Sequence, residues 1–186
     1  MNTDTRSNGA PKKARNYSRD ASKLKMLHAL RNVLILAVAL FVLLQYVIGL
    51  SVVSGNSMAP SLLDQDLVLY TRIGNRYKRG SLVSVALPSG EYYVKRVIAV
   101  AGDEVDIRDG IVYVNGVPEE GDYFKGPTLP EEGAFTYPLR VEEGSVFVLG
   151  DNRADSIDSR FLGPVAESQL GGLLRLRIGW LYIQGL

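Results

Sequence analysis

The 186 residues are 46% hydrophobic and 22% charged, which bounds the chain at one packed domain with an appendage. The absence of cysteine excludes disulfide staples, thiolate catalysis and cysteine-rich zinc sites. The net charge of +1 is unevenly spread: residues 1–31 hold eight Lys/Arg against two Asp/Glu, and the remaining −5 argues against nucleic acid as a partner.

Residues 1 to about 22 are polar, basic and short of large apolar side chains. Such a segment cannot bury enough surface to offset chain entropy, so disorder is expected. His28, the only histidine, lies on this side of the chain and reads as a bystander near an interface. Residues 1–28 form the basic tail.

No charged residue occurs from Asn32 to Leu63. A helix of about 20 residues rises about 30 Å, the thickness of a bilayer's hydrocarbon core, so a single membrane span is placed at residues 29–53. Tyr46 suits an anchor at the far interface. A buried core helix fits less well, because such helices rarely lack a polar face over this length. A cleavable secretory signal also fits less well, because the apolar run is too long and no A-x-A-like exit follows. The Lys/Arg excess before the span puts the N-terminus in the cytoplasm and residues 54–186 outside it.

Past Ser54 the period changes. Leu67–Tyr70, Leu82–Ala86, Tyr92–Val100, Ile111–Val114, Val146–Leu149 and Leu173–Ile178 are short runs rich in β-branched and aromatic residues. Asp109-Gly110 and Asn115-Gly116 are hairpin-turn signals. Pro118–Pro138, rich in Gly, Pro and acidic residues, reads as an extended loop. The expected fold is mostly β, a coiled or barrel-like sheet domain behind one N-terminal transmembrane helix.

Three stretches could carry chemistry. The first is Ser54-Gly55-Asn56-Ser57-Met58-Ala59-Pro60-Ser61, where Gly55 permits unusual backbone angles and Pro60 ends any helix. Such a turn can expose the Ser57 hydroxyl and aim a backbone N–H at an oxyanion, although most Gly/Pro turns are only turns. It is not a G-x-S-x-G elbow, and no histidine lies beyond the span to complete a triad. The second is Tyr93-Val94-Lys95-Arg96-Val97-Ile98. Lysine can serve as a base once burial lowers its pKa from about 10.4, and alternation sets Tyr93, Lys95 and Val97 on one face. A solvent-facing lysine on a half-buried strand is the ordinary alternative. The third is Gly150–Arg160, a polar loop behind an apolar strand. It reads either as a solvated loop with local Asp–Arg pairs or as a polar network whose hydroxyls orient a lysine amine. A calcium loop is disfavoured by the absent EF-hand spacing.

In this order, the blocks resemble the bacterial type I signal peptidases. The resemblance rests on Ser54–Leu62 after a span, Gly80–Val85, Lys95–Asp103, Asp109–Gly116, Phe147–Arg153 and Ser156–Val165. It covers nearly all of the chain from the span onward. It implies a coiled, mostly antiparallel β fold and a Ser/Lys endopeptidase acting through an acyl-enzyme. Ser57 matches the nucleophile, Lys95 the general base and Ser156 the hydroxyl that holds the amine. Arg96 with Asp151, and Asp158 with Arg160, match bracing positions, and Gly55, Met58 and Gly150 complete the supporting set.

The implied substrates are secretory preproteins, cut after small residues at −1 and −3 of the signal peptide, at the bacterial cell membrane. No metal and no organic cofactor is implied. Some members carry a serine two positions before the nucleophile that assists the oxyanion. Gly55 stands there in this chain, so the second donor is unassigned. The length suits the compact form of the family.

Two other readings compete. One is an inactive membrane-anchored β module that binds preproteins or an assembly partner, which the joint presence of Ser57, Lys95 and Ser156 opposes. The other is a self-cleaving repressor, which the span opposes. The dyad itself requires Ser57 Oγ and Lys95 Nζ within about 2.6–3.2 Å.

Overall fold

The computed structural model describes residues 12–74, 76–87, 90–179 and 182–185. They form α1 (Lys12–Val42), a π-helical turn (Leu43–Val47), β1 (Ile48–Val52), β2 (Leu67–Thr71), β3 (Leu82–Ala86) and β4 (Tyr92–Val100). There follow β5 (Glu104–Arg108), β6 (Ile111–Val114), β7 (Val117–Pro118), β8 (Leu139–Arg140) and β9 (Ser145–Leu149). The short α2 (Ser159–Leu162), β10 (Val165–Ala166), β11 (Leu170–Gly179) and β12 (Tyr182–Gly185) complete the chain. Two compact units result, Met1–Leu44 and Gln45–Leu186.

The described residues of the first unit are helical. Lys23–Val47 has a mean hydropathy of 2.3 and none of it is buried, so it is long and apolar enough to cross a membrane. Both ends differ from the expected 29–53. The helix already runs from Lys12, which corrects the disordered reading of residues 12–22; residues 1–11 lie outside the described ones. Lys, Arg and Ala are good helix formers, and elongation from an existing helix needs no new nucleus. At the other end, Ile48–Val52 is strand, paired with β2 from Ile48↔Thr71 to Val52↔Leu67. An unbroken apolar run carries no period, so only the partner strand shows where helix gives way to sheet.

The second unit is built of two antiparallel sheets. The larger has the order β1-β2-β11-β3-β4-β9-β10, with β12 also on β11, and the smaller the order β7-β6-β5-β8. Register shifts between Val97 and Ala99 in β4, and between Leu174 and Leu176 in β11, are bulges that bend and coil the larger sheet. Asp109-Gly110 and Asn115-Gly116 take the positive φ values that tight hairpins demand, 52° and 78°, then 55° and 77°. Strand β5 escapes a reading by apolar runs because Glu104, Asp106 and Arg108 alternate with the buried Val105 and Ile107.

The core has three clusters. Val105, Ile107, Val112 and Val114 of the smaller sheet pack with Phe147 and Leu149 of β9. Val83, Val85, Val97, Val146 and Val148 form the second. Val53, Met58, Leu62, Val68, Leu82 and Leu174 form the third, beneath the turn that carries Ser57.

Candidate active site

The Ser57 turn is a loop whose ends are tied together. Val53 N–H donates to the Asp66 carbonyl at 2.8 Å, and Gln65 N–H to the Val53 carbonyl at 2.9 Å. Met58 and Leu62 are sunk in the core and joined by a helical turn, Leu62 N–H to Met58 O at 2.9 Å. With Met58 pointing down, the adjacent Ser57 is left half-buried. Arg177 of β11 donates to the Ser61 carbonyl at 2.8 Å and pairs with Asp66 at 2.7 Å, fixing the far side.

Gly55 adopts φ +88°, where a side chain is strained although space is open. Its N–H is committed to Asp64 Oδ1 at 2.9 Å. A serine at this position is therefore disfavoured by the backbone, and the Gly55 amide is occupied. The Ser57 amide has no acceptor among the described residues.

Lys95 lies in β4 opposite Val83 of β3 and is 3% exposed. Its Nζ donates to Ser57 Oγ at 3.0 Å, within the reach the dyad requires, and stands 5.3 Å from the centre of the Tyr93 ring. Burial pushes its pKa down from 10.5 to about 8; Asp158 opposes that shift, Arg160 reinforces it, and Asp151 and Asp155 oppose it.

The Gly150–Arg160 loop leaves β9 directly beside β4, because Arg96 pairs with Leu149 across the sheet. Arg96 forks onto the fully buried Asp151 at 2.8 and 2.7 Å, donates to Ser61 Oγ at 3.0 Å and stacks over Tyr123 at 4.2 Å. Asp158 caps α2 by accepting from Arg160 N–H at 3.2 Å. Its carboxylate also takes the Arg160 guanidinium at 2.9 and 3.0 Å and the Gly150 amide at 3.0 Å. Both expected pairs are thus formed.

Ser156 differs from expectation. Its Oγ is buried and, among the described residues, has no hydrogen-bond partner, so the expected bond to Lys95 is not made. Nζ is turned to Ser57 instead, and Ser156 packs tightly against Gly150, where a Cβ would also fall 2.6 Å from the Ser57 carbonyl oxygen.

Several positioning residues were not singled out from the sequence. Asn152 N–H donates to the Ser57 carbonyl at 2.9 Å, and its side chain to the Asn56 carbonyl at 3.2 Å. Arg153, 2% exposed, reaches Glu119 at 2.8 and 2.7 Å, Thr128 Oγ1 at 2.6 Å and the Gly150 carbonyl at 3.0 Å, and stacks on Phe124 at 4.3 Å. It pins the Pro118–Pro138 segment to the site loop. No local pattern links these residues; the available sign was an arginine in a segment that follows a wholly apolar strand.

A cavity of about 300 Å³ opens at Ser57, lined by Ser54, Gly55, Asn56, Ser57, Tyr93, Lys95, Asp155 and Ile157. Among the described residues no cluster of three metal-ligating side chains occurs. A hydroxyl facing a buried amine at the mouth of a cavity can perform acyl transfer.

Comparison with known proteins defines the class. Residues 26–180 match the family described as Signal peptidase, peptidase S26. The chain is 30% identical over 172 residues to signal peptidase IB of Staphylococcus aureus, covering 83% of this chain and 90% of that protein. It is 33% identical over 153 residues to signal peptidase I of Bacillus amyloliquefaciens, covering 75% and 80%. The crystal structure of a signal peptidase I from Enterococcus faecalis V583 is 33% identical, with a TM-score of 0.44, covering 53% of this chain and 97% of that one. The protein is a serine peptidase. It belongs to the signal peptidase family, peptidase S26, and is of the bacterial type I kind. The inactive-module reading is not favoured.

Proposed function

We propose that this chain is a membrane-anchored endopeptidase that cuts signal peptides from exported preproteins with a Ser57/Lys95 dyad. The carrying observation is the 3.0 Å contact between Lys95 Nζ and Ser57 Oγ, with Lys95 3% exposed. A dry lysine can be neutral near physiological pH, and only neutral amine accepts a proton.

In the first half, Lys95 takes the hydroxyl proton as Ser57 Oγ bonds to the scissile carbonyl carbon. The Ser57 N–H donates to the developing oxyanion. The carbon–nitrogen bond then breaks, and protonated Lys95 returns its proton to the departing amine of the mature protein. In the second half, Lys95 removes a proton from water, water oxygen attacks the acyl carbon, and the proton goes back to Ser57 Oγ. The Ser156 hydroxyl, buried and without a partner among the described residues, is assigned to accept one of the amine's hydrogens during the cycle. Small residues at −1 and −3 of the substrate follow from the family resemblance.

Lys23–Val47 is assigned as the span, with the basic N-terminal side in the cytoplasm and the chain from Ile48 onward as the extracytoplasmic peptidase domain. Anchoring raises the effective concentration of a membrane-held substrate.

The test is cleavage of a preprotein in detergent micelles by wild type, Ser57→Ala and Lys95→Met, read by the mass of both products. Each variant is expected to lose at least about 1,000-fold in kcat/KM while staying folded. Full activity in either would remove the dyad.

A further inference from the structure

The lining of the site cavity includes two charged side chains, Lys95 and Asp155. The other charges of the surrounding loop are matched within the protein: Asp151 by Arg96, Asp158 by Arg160 and Arg153 by Glu119. Asp155 is exposed and forms no salt bridge among the described residues. Its backbone is not loose. Asp155 N–H donates to the Asn152 carbonyl at 3.0 Å, and Asn152 is itself bonded to the Ser57 carbonyl at 2.9 Å. The carboxylate therefore sits on the loop that holds the nucleophile, next to Ser156, whose hydroxyl is buried.

When Lys95 acts as a base it is neutral. Among the described residues, Asp155 is then the one uncompensated charge lining the cavity, in a concave surface that concentrates its field. We propose that Asp155 is a specificity-determining residue that favours preproteins carrying a lysine or arginine beside the cleaved bond and disfavours those carrying a carboxylate there. This deepens, and rests on, the Ser57/Lys95 reading. Selection is electrostatic and two-sided: a cation near the bond gains attraction to Asp155, whereas a carboxylate meets repulsion at the same place. Because Asp155 is exposed, the effect is modest and weakens with salt.

The test uses the full-length protein in detergent micelles and signal-peptide substrates identical except for Lys, Gln or Glu at −2, +1 or +2. Each enzyme is assayed at the plateau of its own pH profile, and kcat/KM ratios are taken within that enzyme. For wild type the Lys/Glu ratio is expected to be roughly 3- to 10-fold in at least one position at low salt, shrinking as salt rises. In Asp155→Asn the ratio should approach one, and in Asp155→Lys it should invert. A wild-type ratio near one in all three positions overturns the proposal, as does a ratio unchanged by both substitutions. A shifted pH profile with unchanged ratios would also overturn it, leaving Asp155 to act on Lys95 alone. Failure of wild type to cut the Gln substrates would instead overturn the Ser57/Lys95 reading beneath it.

Discussion

The backbone N–H of Asn152 donates to the Ser57 carbonyl at 2.9 Å, so the main chain at Ser57 is bonded to the loop that leaves β9. The Asn152 side chain adds a bond to the Asn56 carbonyl at 3.2 Å. Two segments almost a hundred residues apart thereby form one unit, and Lys95 on β4 faces it. Substitutions at this junction should report on geometry before they report on chemistry.

Lys95 links activity to stability. Its pKa is depressed from 10.5 to about 8, so the unfolded chain holds a proton that the folded one lacks between those values. Stability from this residue therefore rises as pH climbs from about 8 to 10.5, and below 8 its penalty is constant at about 3 kcal/mol. We predict that Lys95→Met unfolds at a higher temperature than wild type at neutral pH and loses that rise with pH. Cleavage by wild type should fall tenfold per pH unit below about 8. Equal melting temperatures together with a flat activity profile between pH 6 and 9 would refute this account.

Gly150 is needed for space, since its neighbours Ser156 and the Ser57 carbonyl leave no room for a Cβ. Gly150→Ala is predicted to cost about 1–3 kcal/mol through overpacking and about 100-fold in kcat/KM through misplacement of Ser57. Adding Ser156→Gly should restore part of the stability. Thermal melts of the single and double variants decide it, with strict additivity counting against the clash.

Ser156 separates a structural role from a catalytic one. Its hydroxyl is buried without a partner among the described residues, so Ser156→Ala breaks no bond in the free enzyme. The expected outcome is unchanged or slightly higher stability with at least about a tenfold fall in kcat. If kcat stays at the wild-type level, Ser156 does not hold the amine during turnover.

Asp151 is fully buried and gripped by two nitrogens of Arg96. Asp151→Asn leaves the guanidinium without its counter-charge, with a predicted loss of about 3 kcal/mol. Arg96→Lys keeps a charge but not the planar fork or the stacking on Tyr123, so it too should destabilise. Urea unfolding of each variant in detergent measures the losses, and a change under about 0.5 kcal/mol in both would show that the pair braces nothing.

Much of this was legible in the residues. Strands from Leu67, Leu82, Tyr92, Ile111, Val146 and Leu173 appear near their expected bounds, because β-branched runs between turn residues specify strands locally. The Asp-Gly and Asn-Gly pairs specify hairpins for the same local reason, their tolerance of positive φ. Strand β1 was hidden inside the apolar run and β5 behind its charges, since each depends on a partner strand. Asn152 and Arg153 escaped notice because their partners, Ser57 and Glu119, are distant in the chain.

By itself, then, the sequence determined the apolar helix and the β-rich character from local composition and marked Ser57 and Lys95 as candidates, while Asp151 and Asp158 entered as positions implied by the resemblance to the type I signal peptidases. Only the tertiary structure decided that Lys95 is dry and 3.0 Å from Ser57, that the Gly55 amide is spent on Asp64, and that the Ser156 hydroxyl beside Gly150 has no partner among the described residues. Burial and hydrogen-bond distance are set by the packing of β4, β9 and the Val53–Asp66 loop, and no residue states from its own neighbours what will fold against it.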